Sequence, residues 1–99
     1  MASDTKVDYT PGPWKVIVDS YGGFNRIWSP EGDDVATCMG DGAIPKEERH
    51  ANERLIAAAP ELAEALKELT LVYTSIYPVD KLPPSIVKAE SALLKAGIR

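Results

Sequence analysis

His50 and Cys38 are the only histidine and the only cysteine in the chain, and they set the ceiling on its nucleophilic and metal chemistry. A cysteine nucleophile needs a base within hydrogen-bond reach and a third group to orient that base. Cys38 falls instead among alternating apolar residues, where a packed thiol is expected. A single histidine cannot build a multi-histidine metal site. The carboxylates Asp33, Asp34, Asp41, Glu47 and Glu48 lack the fixed loop positions of a calcium-binding EF-hand. No Gly-x-Ser-x-Gly elbow, phosphate loop or dinucleotide fingerprint occurs, and Gly22-Gly23 and Gly40-Asp41-Gly42 read as turns. These residues therefore predict no catalytic set, no metal and no cofactor. The opposing reading is a small enzyme acting on a nucleotide, assembled from His50, Asn52, Arg54 and nearby carboxylates.

Binding is a different matter. His50, Asn52, Glu53 and Arg54 form a polar cluster near a helix start. Arg54 can clamp an anionic group through two parallel hydrogen bonds, or it can pair with Glu47. Asn52 can contact a ligand through its amide, or bond the backbone near Pro45 and fix register. Trp14 and Trp28 are core residues if buried and binding anchors if exposed. Arg26, one of the few basic side chains in the first half, is a further candidate. The ligand-binding candidates are thus Asn52, Arg54, Trp14, Arg26 and His50.

The elements that must position these residues change character near Pro45. Residues 1–44 carry three basic and seven acidic side chains, whereas residues 45–99 carry eight of each, so the net charge of −4 belongs to the first half. No basic stripe is available for phosphates, and nucleic acid is not an expected partner. In the first half, Thr10-Pro11-Gly12-Pro13 must be extended, because neither proline can donate to a ladder. Trp14–Val18, Phe24–Trp28 and Val35–Met39 then read as three short strands, with turns at Asp19–Gly23 and Pro30–Asp33. They predict an antiparallel meander.

From Pro45 the period becomes helical. Leu55, Ala59, Leu62, Leu66, Leu69, Tyr73 and Ile76 follow spacings of four and three, which makes an apolar seam. Pro60 divides this run into two helices, because proline is tolerated in a first turn but not in a helix interior. Pro78 ends the second helix. Pro83 and Pro84 open a third, with Ile86, Ala89, Leu93 and Ala96 on one face and Gly97 as its cap. The predicted fold is α+β: a three-stranded meander followed by two to three helices, the last two a hairpin packed on the sheet. Residues 1–9 are expected to be a flexible N-terminus, and residues 10–99 a single domain with β part 10–44 and helical part 45–99.

At 99 residues, with 44% apolar and 26% charged side chains, the chain is an ordinary globular one. A domain of this size buries roughly two-thirds of its unfolded surface, and cores at this scale are often completed by self-association. The seam residues Leu55, Leu62, Leu66, Leu69, Tyr73 and Ile76 are the expected contact. One cysteine excludes an internal disulfide. No apolar run reaches membrane-spanning length and no signal peptide is visible, so a cytoplasmic protein without a membrane partner is expected.

Two segments carry a family resemblance. Thr10-Pro11-Gly12-Pro13-Trp14 and the string Ala51-Asn52-Glu53-Arg54-Leu55-Ile56-Ala57-Ala58-Ala59-Pro60-Glu61-Leu62 resemble small proteins of tailed phages and prophages, which share a "TPGPW" start and a "NARLIAAAPELLEAL" centre. Glu53 stands where that pattern has Ala, and Ala63 where it has Leu. The resemblance implies a phage or prophage accessory protein made inside the infected cell, and brings no catalytic residues. Combined with the missing catalytic set, it predicts a non-enzymatic, homo-oligomeric binding protein. Its target would be a host protein or a small anionic ligand, such as a nucleotide signal in host defence. A structural or regulatory partner of another phage protein is the other alternative.

Overall fold

The computed structural model describes residues 9–19, 24–38 and 44–98. Three strands, β1 (Lys15–Ile17), β2 (Arg26–Trp28) and β3 (Asp34–Thr37), precede three helices, α1 (Lys46–Ala57), α2 (Ala59–Ile76) and α3 (Pro84–Lys95). A single 3-10 turn, Val79–Lys81, joins the last two helices. The class is α+β, as the alternation of periods requires. Residues 1–8 of the expected N-terminal tail, the Gly22-Gly23 turn and the Gly40–Gly42 stop lie outside the described residues.

The sheet is antiparallel in the order β1-β2-β3. Ile27 of the central strand faces Val16 on one side and Ala36 on the other, and it has no exposed surface. Ser29 starts the β2–β3 turn: its carbonyl accepts from Gly32 N–H at 2.9 Å, and its N–H donates to the Asp33 carbonyl at 2.9 Å. Pro30 presets the first turn residue, and Gly32 takes the left-handed conformation at φ +89°. The Ser29 hydroxyl is buried and accepts from Asp33 N–H at 3.2 Å. Beyond the turn, Trp28 pairs with Asp34 while Ile27 pairs with Ala36, so Val35 is the extra residue of a bulge.

By contacts the chain forms two compact units, Met1–Glu61 and Leu62–Arg99. In the first, the helix lying against β1 and β2 is α1. Only Ala58 separates α1 from α2, and Pro60 takes the second position of α2, where its missing N–H costs no helical bond.

In the second unit, Ile86, Ala89 and Leu93 of α3 are buried, as their 3-4 spacing predicts. Ala96, expected on the same face, is exposed, because it is the cap residue at which the helix turns away. Gly97 N–H donates to Leu94 O and Ile98 N–H to Leu93 O, at 2.9 and 2.8 Å, with Gly97 at φ +79°. This is the paired-bond termination that a left-handed glycine permits. In α2, the Thr70 and Ser75 hydroxyls donate to the Leu66 and Leu71 carbonyls one turn back, each at 2.7 Å. No helix among the described residues is long and apolar enough to cross a membrane.

Candidate ligand-binding cavity

Lys46, Arg49, His50, Glu53 and Arg54 recur at helical spacing along α1, so they share one face. That face lines an open cavity of about 520 Å³, whose other lining residues are Val16, Val18, Asp19 and Asn25. Glu53 is the unusual member. It is 2% exposed, and long-range hydrogen bonds tie it to the strands. Its Oε1 accepts from Asn25 Nδ2 at 3.0 Å, and Asn25 Oδ1 accepts from Asp19 N–H at 3.1 Å. The Glu53 Oε2 atom is closed to water and has no hydrogen-bond donor among the described residues. A buried acceptor in that condition costs about 1–3 kcal/mol, more when charged.

Arg49 lies over Phe24, with its guanidinium carbon 5.9 Å from the ring centroid, a cation–π arrangement. It also lines a second cleft of about 410 Å³, shared with Thr37, Cys38, Ile44, Asn52 and Leu55. Burial holds the Cys38 thiol above its ordinary pKa, the Glu53 carboxylate pushes the same way, and Arg49 opposes them. The thiol is half-buried, as the alternating pattern implies. Among the described residues there is no group of three or more histidine, cysteine or acidic side chains that could hold a metal ion.

The sequence-predicted candidates separate. His50 and Arg54 reach the larger cavity. Asn52 is exposed and borders the other cleft, while in the Pro45 region the Pro45 carbonyl accepts from Arg49 N–H. Arg26 is exposed at the start of β2, opposite Ile17 and Thr37, and lines neither cavity. Trp14 is half-buried, and its indole N–H donates to Thr10 O at 3.0 Å. Trp28 is half-buried too, with its indole Nε1 buried and lacking a partner among the described residues. Sequence reasoning missed Lys46, Arg49 and Asn25 as site residues. The first two were legible in the helical spacing that leads to His50 and Glu53. Asn25 carried no signal, because its role depends on pairing with a residue 28 positions away.

The architecture is that of a small α+β protein with a mixed-charge cavity between sheet and helix. The chain belongs to the phage family described as Salmonella phage P22 protein Y8K6, whose pattern it matches over residues 1–98. Comparisons with curated proteins and with solved structures return no match.

Proposed function

We propose that this phage protein is a non-enzymatic binding protein whose α1 cavity takes a small anionic ligand of the host, such as a nucleotide signal. The observation that carries the reading is the convergence of Lys46, Arg49, His50 and Arg54 on one cavity whose acidic members are Asp19 and Glu53. In a chain of net charge −4, the gathering of Lys46, Arg49 and Arg54 is a local exception, and arginines suit phosphate-like oxygens. The cavity volume falls within the roughly 300–1,000 Å³ common to small-molecule sites. Sequestering a nucleotide would counter a host defence that signals through one. Assembly through the α2 seam would multiply the sites, and the exposed Leu62, Leu69 and Ile76 support it.

Thermal unfolding against inorganic phosphate, nucleotides and cyclic nucleotides tests the reading, because a ligand bound only by the folded state raises the midpoint. A saturable rise that disappears in the Arg49→Ala, Arg54→Ala double variant is expected. No rise with any anion would overturn it and leave a host or phage protein as the partner to seek.

A further inference from the structure

We infer that α2 pairs with the α2 helix of a second copy in antiparallel order, with Ala65 of one chain against Ile76 of the other and Leu69 against Val72. This rests on the proposed self-association and fixes its geometry. Leu62, Ala65, Leu69, Val72 and Ile76 follow spacings of three, four, three and four, the two core positions of a heptad repeat. All five are exposed. Ala63, Leu66, Thr70 and Tyr73, on the adjoining side of α2, are buried or half-buried within the single chain. The helix thus has one side in use and a second, apolar from its first turn to its last, that is left uncovered among the described residues.

Two features of this stripe select a second copy in reversed order. The first is size. Parallel pairing stacks like on like, so Ala65 meets Ala65 and leaves a void while Leu69 meets Leu69. Reversed pairing opposes a larger side chain to a smaller one in each central layer, Ile76 to Ala65 and Leu69 to Val72, and evens the layers as close packing requires. The second is charge. The carboxylates of α2, Glu61, Glu64 and Glu68, all lie in its first half, and Leu69–Ile76 carries no charged side chain. Parallel pairing sets the two acidic halves level with each other. Reversed pairing sets each beside the uncharged half of the other copy, where like charges do not meet. The stripe is therefore complementary to itself when turned end for end.

Cysteine cross-linking in the full chain tests this, with Cys38→Ser as the background. Ala65→Cys and Ile76→Cys chains, coexpressed and oxidised, should give a disulfide that joins the two variants, read by mass spectrometry of the linked peptides. Ile76→Cys alone should give no linked product. In the antiparallel pair its two copies are offset by the eleven residues between Ala65 and Ile76, about 16 Å along the helix, whereas a disulfide spans Cα atoms no more than about 7 Å apart. Ready linkage of Ile76→Cys to itself would overturn the antiparallel order and leave the self-association standing. A multimeric mass by light scattering with neither linkage would overturn the pairing of α2. A single-chain mass for the unaltered protein would overturn both and leave the stripe to a different protein. Should a cysteine variant fail to fold, Ala65→Glu and Ile76→Lys repeat the comparison. Each alone should stay at single-chain mass and their mixture should associate, and a mixture that stays at single-chain mass would count against the pairing.

Discussion

Gly12 lies directly against the ring of Pro60: a Cβ placed on Gly12 would stand 2.8 Å from the Pro60 Cβ and 3.1 Å from its Cγ. The segment Thr10–Trp14 and the string ending in Ala-Pro-Glu-Leu, far apart in sequence, therefore meet at a backbone-to-ring contact. Gly12 does not owe its place to a left-handed backbone, which among the described glycines only Gly32 and Gly97 adopt. It is there for proximity. Pro60 is buried in the first turn of α2 and cannot move aside as a flexible side chain would. Gly12→Ala should lower unfolding stability by about 1–3 kcal/mol through overpacking. Pairing it with Pro60→Ala should recover part of that loss, and a double-mutant cycle in urea measures the coupling. Strict additivity would show that the contact yields at little cost.

The Asn25–Glu53 hydrogen bond holds the loop before β2 to the middle of α1. In Asn25→Ala the Glu53 Oε1 atom loses its donor, and with Oε2 already lacking one, both carboxylate oxygens are left unpaired under the fold. A loss of about 1–3 kcal/mol is the expected consequence. The same substitution made in a Glu53→Ala background should cost much less, because the acceptor has gone. What remains there reports the bond that Asn25 Oδ1 accepts from Asp19 N–H. Equal losses in the two backgrounds would mean that Asn25 acts through the Asp19 bond alone.

Cys38 yields a pH dependence. Its thiol is held above the ordinary value, first by burial, then by Glu53, against the pull of Arg49. A raised pKa leaves less thiolate at any given pH, and the thiolate is the reacting form. Alkylation by iodoacetamide should therefore rise with pH along a curve displaced upward from that of a free cysteine. Glu53→Gln should shift the curve down and Arg49→Gln should shift it up. Movement of the two variants in the same direction would contradict this electrostatic assignment and point to a change in burial instead.

The parts of the fold that were legible from sequence are those fixed by local rules. Pro30 and Gly32 set a turn, Pro60 separates two helices, Pro78 stops one and Gly97 caps another, each through the backbone geometry of its own residue. The 3-4 spacing of Ile86, Ala89 and Leu93 identified a buried face. The site was only half legible. His50, Glu53 and Arg54 stood out as a polar cluster on a helix, and Glu53 was visible as a departure from the resembled pattern. No periodicity could show that Glu53 is 2% exposed, because a charged residue next to Arg54 reads as a solvated face. Its burial comes from strands that α1 covers, and Asn25 enters through the same packing. Arg26 and Asn52 were plausible by type, but they face elsewhere for the same non-local reason.

The seam of α2 divides into two rows with different fates. Leu66 and Tyr73 are half-buried, and Tyr73 stacks on Tyr77 with ring centroids 5.8 Å apart. Leu62, Leu69 and Ile76, seven residues apart, are 53%, 51% and 65% exposed. A seven-residue repeat of large apolar side chains is what a second helix can grip by knobs-into-holes packing, and that is the basis of the proposed self-association. Light scattering after gel filtration at tens of micromolar should therefore give a mass above 10.7 kDa. Leu62→Glu combined with Leu69→Glu should reduce it to one chain while far-UV helicity persists, since side chains this exposed add little to the fold of one chain. A wild-type protein that stays at a single-chain mass would remove the assembly from the functional reading and leave the α1 cavity to act alone.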